Sequence, residues 1–79
     1  MKHLEVADLV EAIRSILAGY PAPIQGAVLA DCLAIWLAGH HVPGEKEATR
    51  KLRADLLAMH CSTVRQLVPG NAGTIGTTP

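Results

Sequence analysis

The segment Ile24–Ala38, IQGAVLADCLAIWLA, decides the fold because it is the most apolar part of the chain. Gln25 and Asp31 are its only strongly polar residues, and Trp36 is the only tryptophan of the protein. Removing apolar surface from water is the dominant favourable term in folding. We therefore expect this segment to be buried, with its large side chains in the core of the domain.

Length and composition indicate one small helical domain. A chain of 79 residues is short for a second domain, and a chain of this size buries only about 60–65% of its unfolded surface. Hydrophobic residues make up 49% of the chain, which argues against disorder of the whole. Aromatic residues make up only 3%, so the core has to be built from aliphatic side chains, which favours closely packed helices.

The apolar spacing predicts a first helix over residues 4–18 and a second over residues 24–38. In the first, apolar residues recur every three or four positions and form a stripe about 120° wide. Gly19 provides a C-terminal stop. Pro23 suits the first position of the second helix, where its missing N–H is not needed, and Gly39 ends that helix.

A third helix is predicted over residues 45–68, ending at Pro69 and Gly70. The remainder is rich in Gly and Thr and carries no charge, so we expect residues 69–79 to form a flexible, disordered tail. No sustained period-two alternation indicates a strand. The expected fold is all-α, an up-down-up three-helix bundle in a single domain over residues 1–68.

Two helix surfaces are expected to lack a partner in a lone bundle. Large side chains cover an arc of roughly 220° on the second helix, and the rest of its circumference is a small-residue face that includes Ala30, Asp31 and Ala34. The third helix has a second apolar stripe beside its core-facing one, formed by Leu57, Cys61, Val64 and Val68. Continued toward the N-terminus, this stripe becomes basic at Lys46, Arg50 and Arg53.

The distribution of charge suggests that these surfaces meet a second copy of the chain. The formal net charge is zero, yet residues 1–44 carry four acids and two bases, whereas residues 45–79 carry three acids and five bases. Such an asymmetry suits self-assembly, and extended apolar patches commonly mark interfaces. The sequence therefore predicts a homodimer. The alternative is a monomer whose small-residue face lies in water.

Chemical motifs are weak throughout the chain. Asp31 amid apolar residues could act as an acid or base, but carboxylates of this kind are more often structural. His3, His40 and His41 could meet at one end of a bundle and bind Zn²⁺ or Ni²⁺, although the usual ligand spacing is missing. Cys32 is too far from Cys61 along antiparallel helices for a disulfide. We expect no catalytic residue, no cofactor and no metal.

Binding to nucleic acid is the second hypothesis for the function. The basic stripe of Lys46, Arg50 and Arg53 could contact phosphates. However, the chain is neutral overall, and no aromatic residues alternate with the basic ones to stack on bases. The central apolar segment is also shorter than the roughly 20 residues that span a bilayer. No secretory signal is evident at the start, so we expect a cytoplasmic protein.

The sequence therefore predicts a small non-enzymatic helical interaction module that self-associates and binds another protein. The expected contact residues are Ala30, Asp31, Ala34, Lys46, Arg50, Arg53, Leu57, Cys61 and Val64. The alternative is a small nucleic-acid-associated regulator that uses the basic stripe of the third helix.

Overall fold

Three α-helices make up most of the chain in a computed structural model, which describes the backbone of residues 3–77 and the side chains of residues 5–77. The helices are α1 (His3–Leu17), α2 (Ala22–Ala38) and α3 (Lys46–Ile75). No strand occurs among residues 3–77. The predicted all-α class is thus confirmed, while the up-down-up order of the helices stays a prediction.

The chain divides into two compact units, one up to Leu33 and one from Ala34 onward. The first unit contains α1 and most of α2, and the second contains the last turn of α2 together with α3. The single domain over residues 1–68 stays a prediction.

The first unit is organised by the end of α1. The helix ends at Leu17, and Gly19 follows with φ of 88°, a left-handed conformation that favours glycine. The side-chain amide of Gln25 in α2 then donates to the carbonyl oxygens of Leu17 and Tyr20, both at 2.9 Å. The Leu17 carbonyl belongs to the group that a helix end leaves without intrahelical partners. Gln25 thereby ties the start of α2 to the end of α1.

Two prolines, Pro21 and Pro23, determine where α2 begins. The carbonyl oxygen of Pro21 accepts from the backbone N–H groups of Ile24 and Gln25 at 3.0 and 3.1 Å. Pro23 lies in the first turn, where an N–H would have no intrahelical acceptor. The helix therefore begins two residues earlier than predicted, at Ala22.

The predicted end of the third helix at Val68 is wrong, because α3 continues through Pro69 to Ile75. Proline lacks the N–H that would bond to the preceding turn, yet the helix resumes after it. Side chains supply bonds in this last part: Asn71 donates to the Leu67 carbonyl at 3.0 Å and Thr74 to the Gly70 carbonyl at 3.1 Å.

The actual stop of α3 is Gly76. Its φ is 80°, its N–H bonds to the Ala72 carbonyl, and the N–H of Thr77 bonds to the same oxygen at 2.9 Å. This is a left-handed glycine cap, and it lies six residues beyond Gly70, where the sequence predicted the end of the helix. Residues 69–75, predicted to be a disordered tail, are thus helical, while Thr78 and Pro79 lie outside the described residues.

The exposed surface of α3 carries local ion pairs. The ammonium of Lys51 lies 2.9 Å from the Asp55 carboxylate, as the spacing predicts. The hydrogen bond to Asp55, assisted by its negative charge, raises the pKa of Lys51 above its usual value. Glu47 pairs with Arg50, three residues farther along the helix, at 3.3 Å. These exposed pairs contribute little to stability.

The structure corrects the prediction that α2 lies in a core of the chain's own. Among the residues whose side chains are described, none is buried. Trp36, the predicted anchor of that core, is 40% exposed, and Ile24 is 49% exposed. The large side chains take up most of the circumference of α2. The rest of the single chain does not shield them from solvent.

The cysteines are both free thiols, in agreement with the prediction that they do not bond. Cys32 is exposed, however, and Cys61 is only half-buried. Neither thiol is therefore buried. No helix of residues 3–77 combines the length and the apolar character needed to cross a membrane.

Candidate functional site

The connection between α2 and α3 holds the densest set of polar contacts in the second unit. Arg53, on the second turn of α3, donates from Nη2 to the Ala38 carbonyl and from Nε to the His40 carbonyl, both at 3.0 Å. These oxygens lie at the C-terminal end of α2, where the helix dipole favours a positive charge. Arg53 thereby fixes the start of the loop against α3.

Thr49 fixes the other part of the loop. Its hydroxyl accepts a hydrogen bond from the Val42 N–H at 2.9 Å and donates to the Val42 carbonyl at 3.2 Å. Gly44 has φ of 74°, in the left-handed region, and the N–H of Glu45 bonds to the Val42 carbonyl at 3.0 Å. The loop is therefore held by side chains of α3 at two separate points.

A cavity of about 560 Å³ lies between this loop and the first two turns of α3. It is lined by His41, Val42, Gly44, Glu45, Lys46, Thr49, Arg50 and Arg53. Its size falls within the range of about 300–1,000 Å³ that is typical of ligand pockets. The three basic residues that the sequence placed on one stripe of the helix thus line one cavity.

The charges that line this cavity are unequal. Lys46, Arg50 and Arg53 are basic, and Glu45 is the only carboxylate among the lining residues. Glu45 precedes α3 directly but makes no side-chain hydrogen bond to the start of the helix. The cavity therefore has an excess of positive charge.

A second, smaller concavity of about 310 Å³ is lined by Trp36, Leu56, Met59, His60 and Thr63. The indole of Trp36 contacts two imidazoles, with its ring centroid 4.4 Å from that of His40 and 4.6 Å from that of His60. The His60 contact is edge-to-face, a favoured arrangement of aromatic rings. The predicted core anchor thus lines an apolar groove.

The imidazole of His40 is fixed by a second contact. Its Nδ1 lies 2.7 Å from the Trp36 carbonyl oxygen. Because a carbonyl only accepts, Nδ1 carries the proton of this hydrogen bond.

The other predicted contact residues lie on exposed helix surfaces. Leu57 and Val64 of α3 are 41% and 54% exposed, and Cys61 between them is half-buried. On α2, the small-residue face is exposed at Ala30, Asp31 and Ala34.

The histidine cluster that the sequence offers as a weak metal-site candidate includes a side chain outside the described set. The side chain of His3 is not among those of residues 5–77, whereas those of His40 and His41 are. Within that range, no group of three or more His, Cys, Asp or Glu side chains comes together in a way that could hold a metal ion.

The sequence does not predict that Gln25 bonds the end of α1, or that Thr49 and Arg53 hold the α2–α3 loop. Gln25 follows a Pro-rich connector, and Thr49 and Arg53 lie one and two turns after a loop that contains Gly44. Polar residues in the first turns after a short connector are placed to bond the preceding helix end or the loop, and this spacing is a usable signal.

Searches for similar proteins return no match to this chain among family models, curated proteins or solved structures.

Proposed function

We propose that this protein is a small non-enzymatic helical interaction module that self-associates and binds another protein through its apolar helix faces. One observation carries the proposal: no described side chain is buried, although 49% of the chain is hydrophobic. Soluble monomers rarely expose contiguous apolar patches of more than a few hundred Å². A partner surface is the simplest means of covering these faces.

The apolar stripe of α1 shows how much free energy a partner surface could contribute by covering it. Val6, Leu9, Val10 and Ile13 form its apolar stripe, and their exposures lie between 48% and 52%. Full burial of such a side chain stabilises by about 1.5–3 kcal/mol, so covering the exposed half contributes roughly 1 kcal/mol each. One such stripe contributes about 4 kcal/mol, which is close to the low end of the estimated cost of association.

A second stripe is therefore needed for stable assembly, and α3 offers one. Leu57, Val64 and Val68 lie on one stripe of the helix, with Cys61 between the first two, and are 41%, 54% and 55% exposed. With both stripes covered, the apolar contribution exceeds the lower estimates of the association cost, which is about 4 kcal/mol. A second copy of the chain supplies both stripes at once, and a symmetric dimer uses each of them twice.

Binding to nucleic acid is the less favoured candidate. The three basic residues Lys46, Arg50 and Arg53 all line one cavity. Nucleic-acid binding draws its affinity from many phosphate contacts spread along a backbone. We also propose that the protein is located in the cytoplasm.

The test is the mass of the protein in solution, by light scattering, with a matched pair of variants. Ile13→Lys places a charge in the apolar stripe of α1, and Ser15→Lys places the same charge on the opposite side of that helix. The native chain and Ser15→Lys are expected to exceed the 8.3 kDa of one chain, whereas Ile13→Lys shifts toward it. Equal masses for both variants would count against the α1 stripe as a contact surface.

A further inference from the structure

The cavity between the α2–α3 loop and the start of α3 has the features of a binding site that self-association does not require. Its loop is held by two hydrogen bonds from Arg53 and by two more between Thr49 and Val42. A site whose walls are already fixed loses little conformational entropy when a ligand binds. The loop that forms one wall of the cavity is therefore preorganised.

Arg53 retains binding capacity despite its role in the loop. A guanidinium carries five N–H donors, and the two bonds to Ala38 and His40 account for two of them. Both of those acceptors are uncharged carbonyls, so the positive charge of Arg53 is not neutralised by them. Arg53 is also only partly exposed, and water screens its charge less than that of a fully exposed side chain.

Arg50 and Lys46 complete the set of cations. Arg50 is paired with Glu47 at 3.3 Å, but these side chains are 70% and 78% exposed. Such a pair is weak and can be exchanged for a better-placed anion. Leaving His41 out of the count, three positive charges against the single carboxylate of Glu45 give the lining a charge of plus two. That charge matches a phosphate group, which carries about −1.5 to −2 at neutral pH.

We propose that this cavity binds a phosphate group through Arg50, Arg53 and Lys46. Arginine is suited to this role because its planar fork of donors matches phosphate geometry, and lysine adds a compact positive charge. A carboxylate has half the charge of a phosphate dianion and fits the lining less well. The phosphate can be free or carried by a larger molecule, since both present the same oxygens.

The test is a titration of the full chain with sodium phosphate, followed by the backbone amide signals in ¹H–¹⁵N NMR spectra. Sodium chloride keeps the ionic strength constant, and sodium acetate is titrated in parallel. Phosphate is expected to give saturable shifts confined to residues 41–53, whereas acetate gives no saturation over the same range. Shifts that grow linearly with phosphate, or that saturate equally with acetate, would overturn the proposal.

Two matched variants distinguish a specific phosphate site from non-specific attraction of phosphate to positive charge. Arg50→Gln removes a charge from the cavity, and Arg65→Gln removes the same charge about four turns farther along α3, outside the cavity lining. Because one charge-assisted contact is lost, the phosphate affinity of Arg50→Gln is expected to fall about tenfold, and that of Arg65→Gln to stay unchanged. An equal fall in both variants, or no fall in Arg50→Gln, contradicts a phosphate site. The result is independent of the mass of the protein, so this proposal and self-association can fail separately.

Discussion

The Nη2 atom of Arg53 in α3 lies 3.0 Å from the carbonyl oxygen of Ala38, the last residue of α2. Gln25 makes the equivalent contact one helix earlier, where its amide donates to the carbonyl of Leu17 at the end of α1. In both cases, a polar side chain near the start of one helix satisfies the end of the preceding helix. Consecutive helices are thus joined by polar caps in a chain that buries no described side chain.

Replacing Arg53 by Gln is expected to destabilise the second unit. The change removes two hydrogen bonds from a charged donor and the favourable charge at the end of α2. Because Arg53 is partly exposed, the expected loss is about 1–2 kcal/mol in the free energy of unfolding. Urea denaturation followed by circular dichroism measures it. Arg65→Gln is the control and should stay within about 0.5 kcal/mol of the native chain.

Replacing Gln25 by Ala should weaken the first unit in a similar way. The change removes the two bonds to the carbonyls of Leu17 and Tyr20, at a cost of about 1–2 kcal/mol. Hydrogen exchange of the amides in α1 is the most direct readout, with faster exchange expected near its C-terminal end. Gln66→Ala, at an exposed position of α3, should leave that exchange unchanged. Unaltered exchange in Gln25→Ala would show that the cap does not hold the helix.

Two glycines should respond oppositely to alanine. Gly44 has φ of 74°, so Gly44→Ala is strained and should destabilise by about 1 kcal/mol. Gly73 lies within α3 and has no atom within 4 Å of the position where a Cβ would stand. Gly73→Ala should therefore stabilise the helix, by up to about 1 kcal/mol. Thermal unfolding of the two variants checks the sign, and a gain for Gly44→Ala would contradict the left-handed loop.

Pro69 should limit the stability of the last part of α3. It lies inside the helix and cannot donate to the preceding turn. Pro69→Ala restores that bond and removes a penalty of about 3 kcal/mol. The amides of residues 70–75 should then exchange more slowly with deuterium, while those of residues 46–60 change little. Unchanged exchange after Pro69 would mean that the helical segment is stabilised by something other than this bond.

The number and type of the helices could be predicted from the sequence, because apolar spacing and the stops at Gly19 and Gly39 are local signals. The end of α3 could not. Pro69 and Gly70 form a strong breaker pair, but the side chains of Asn71 and Thr74 bond the preceding carbonyls and the cap falls at Gly76. A prediction from helix propensity alone therefore overestimates the helix-breaking effect of Pro69 and Gly70 when later residues supply hydrogen bonds.

The candidate site could be predicted only in part. The spacing of Lys46, Arg50 and Arg53 places them on one side of a helix, and the structure brings them into one cavity. The sequence does not reveal that Arg53 also bonds the end of α2, because that contact depends on the path of the loop. The burial of Trp36 was predicted from apolarity alone, which does not specify whether the same chain or a partner provides the cover.

The central claim is that the exposed apolar faces of α1 and α3 are covered by association. The most direct measurement is the mass of the native protein by sedimentation equilibrium over a range of low micromolar concentrations. We expect a mass of twice the 8.3 kDa of one chain, falling toward one chain on dilution. A helical protein that sediments as a single 8.3 kDa species throughout that range would contradict it.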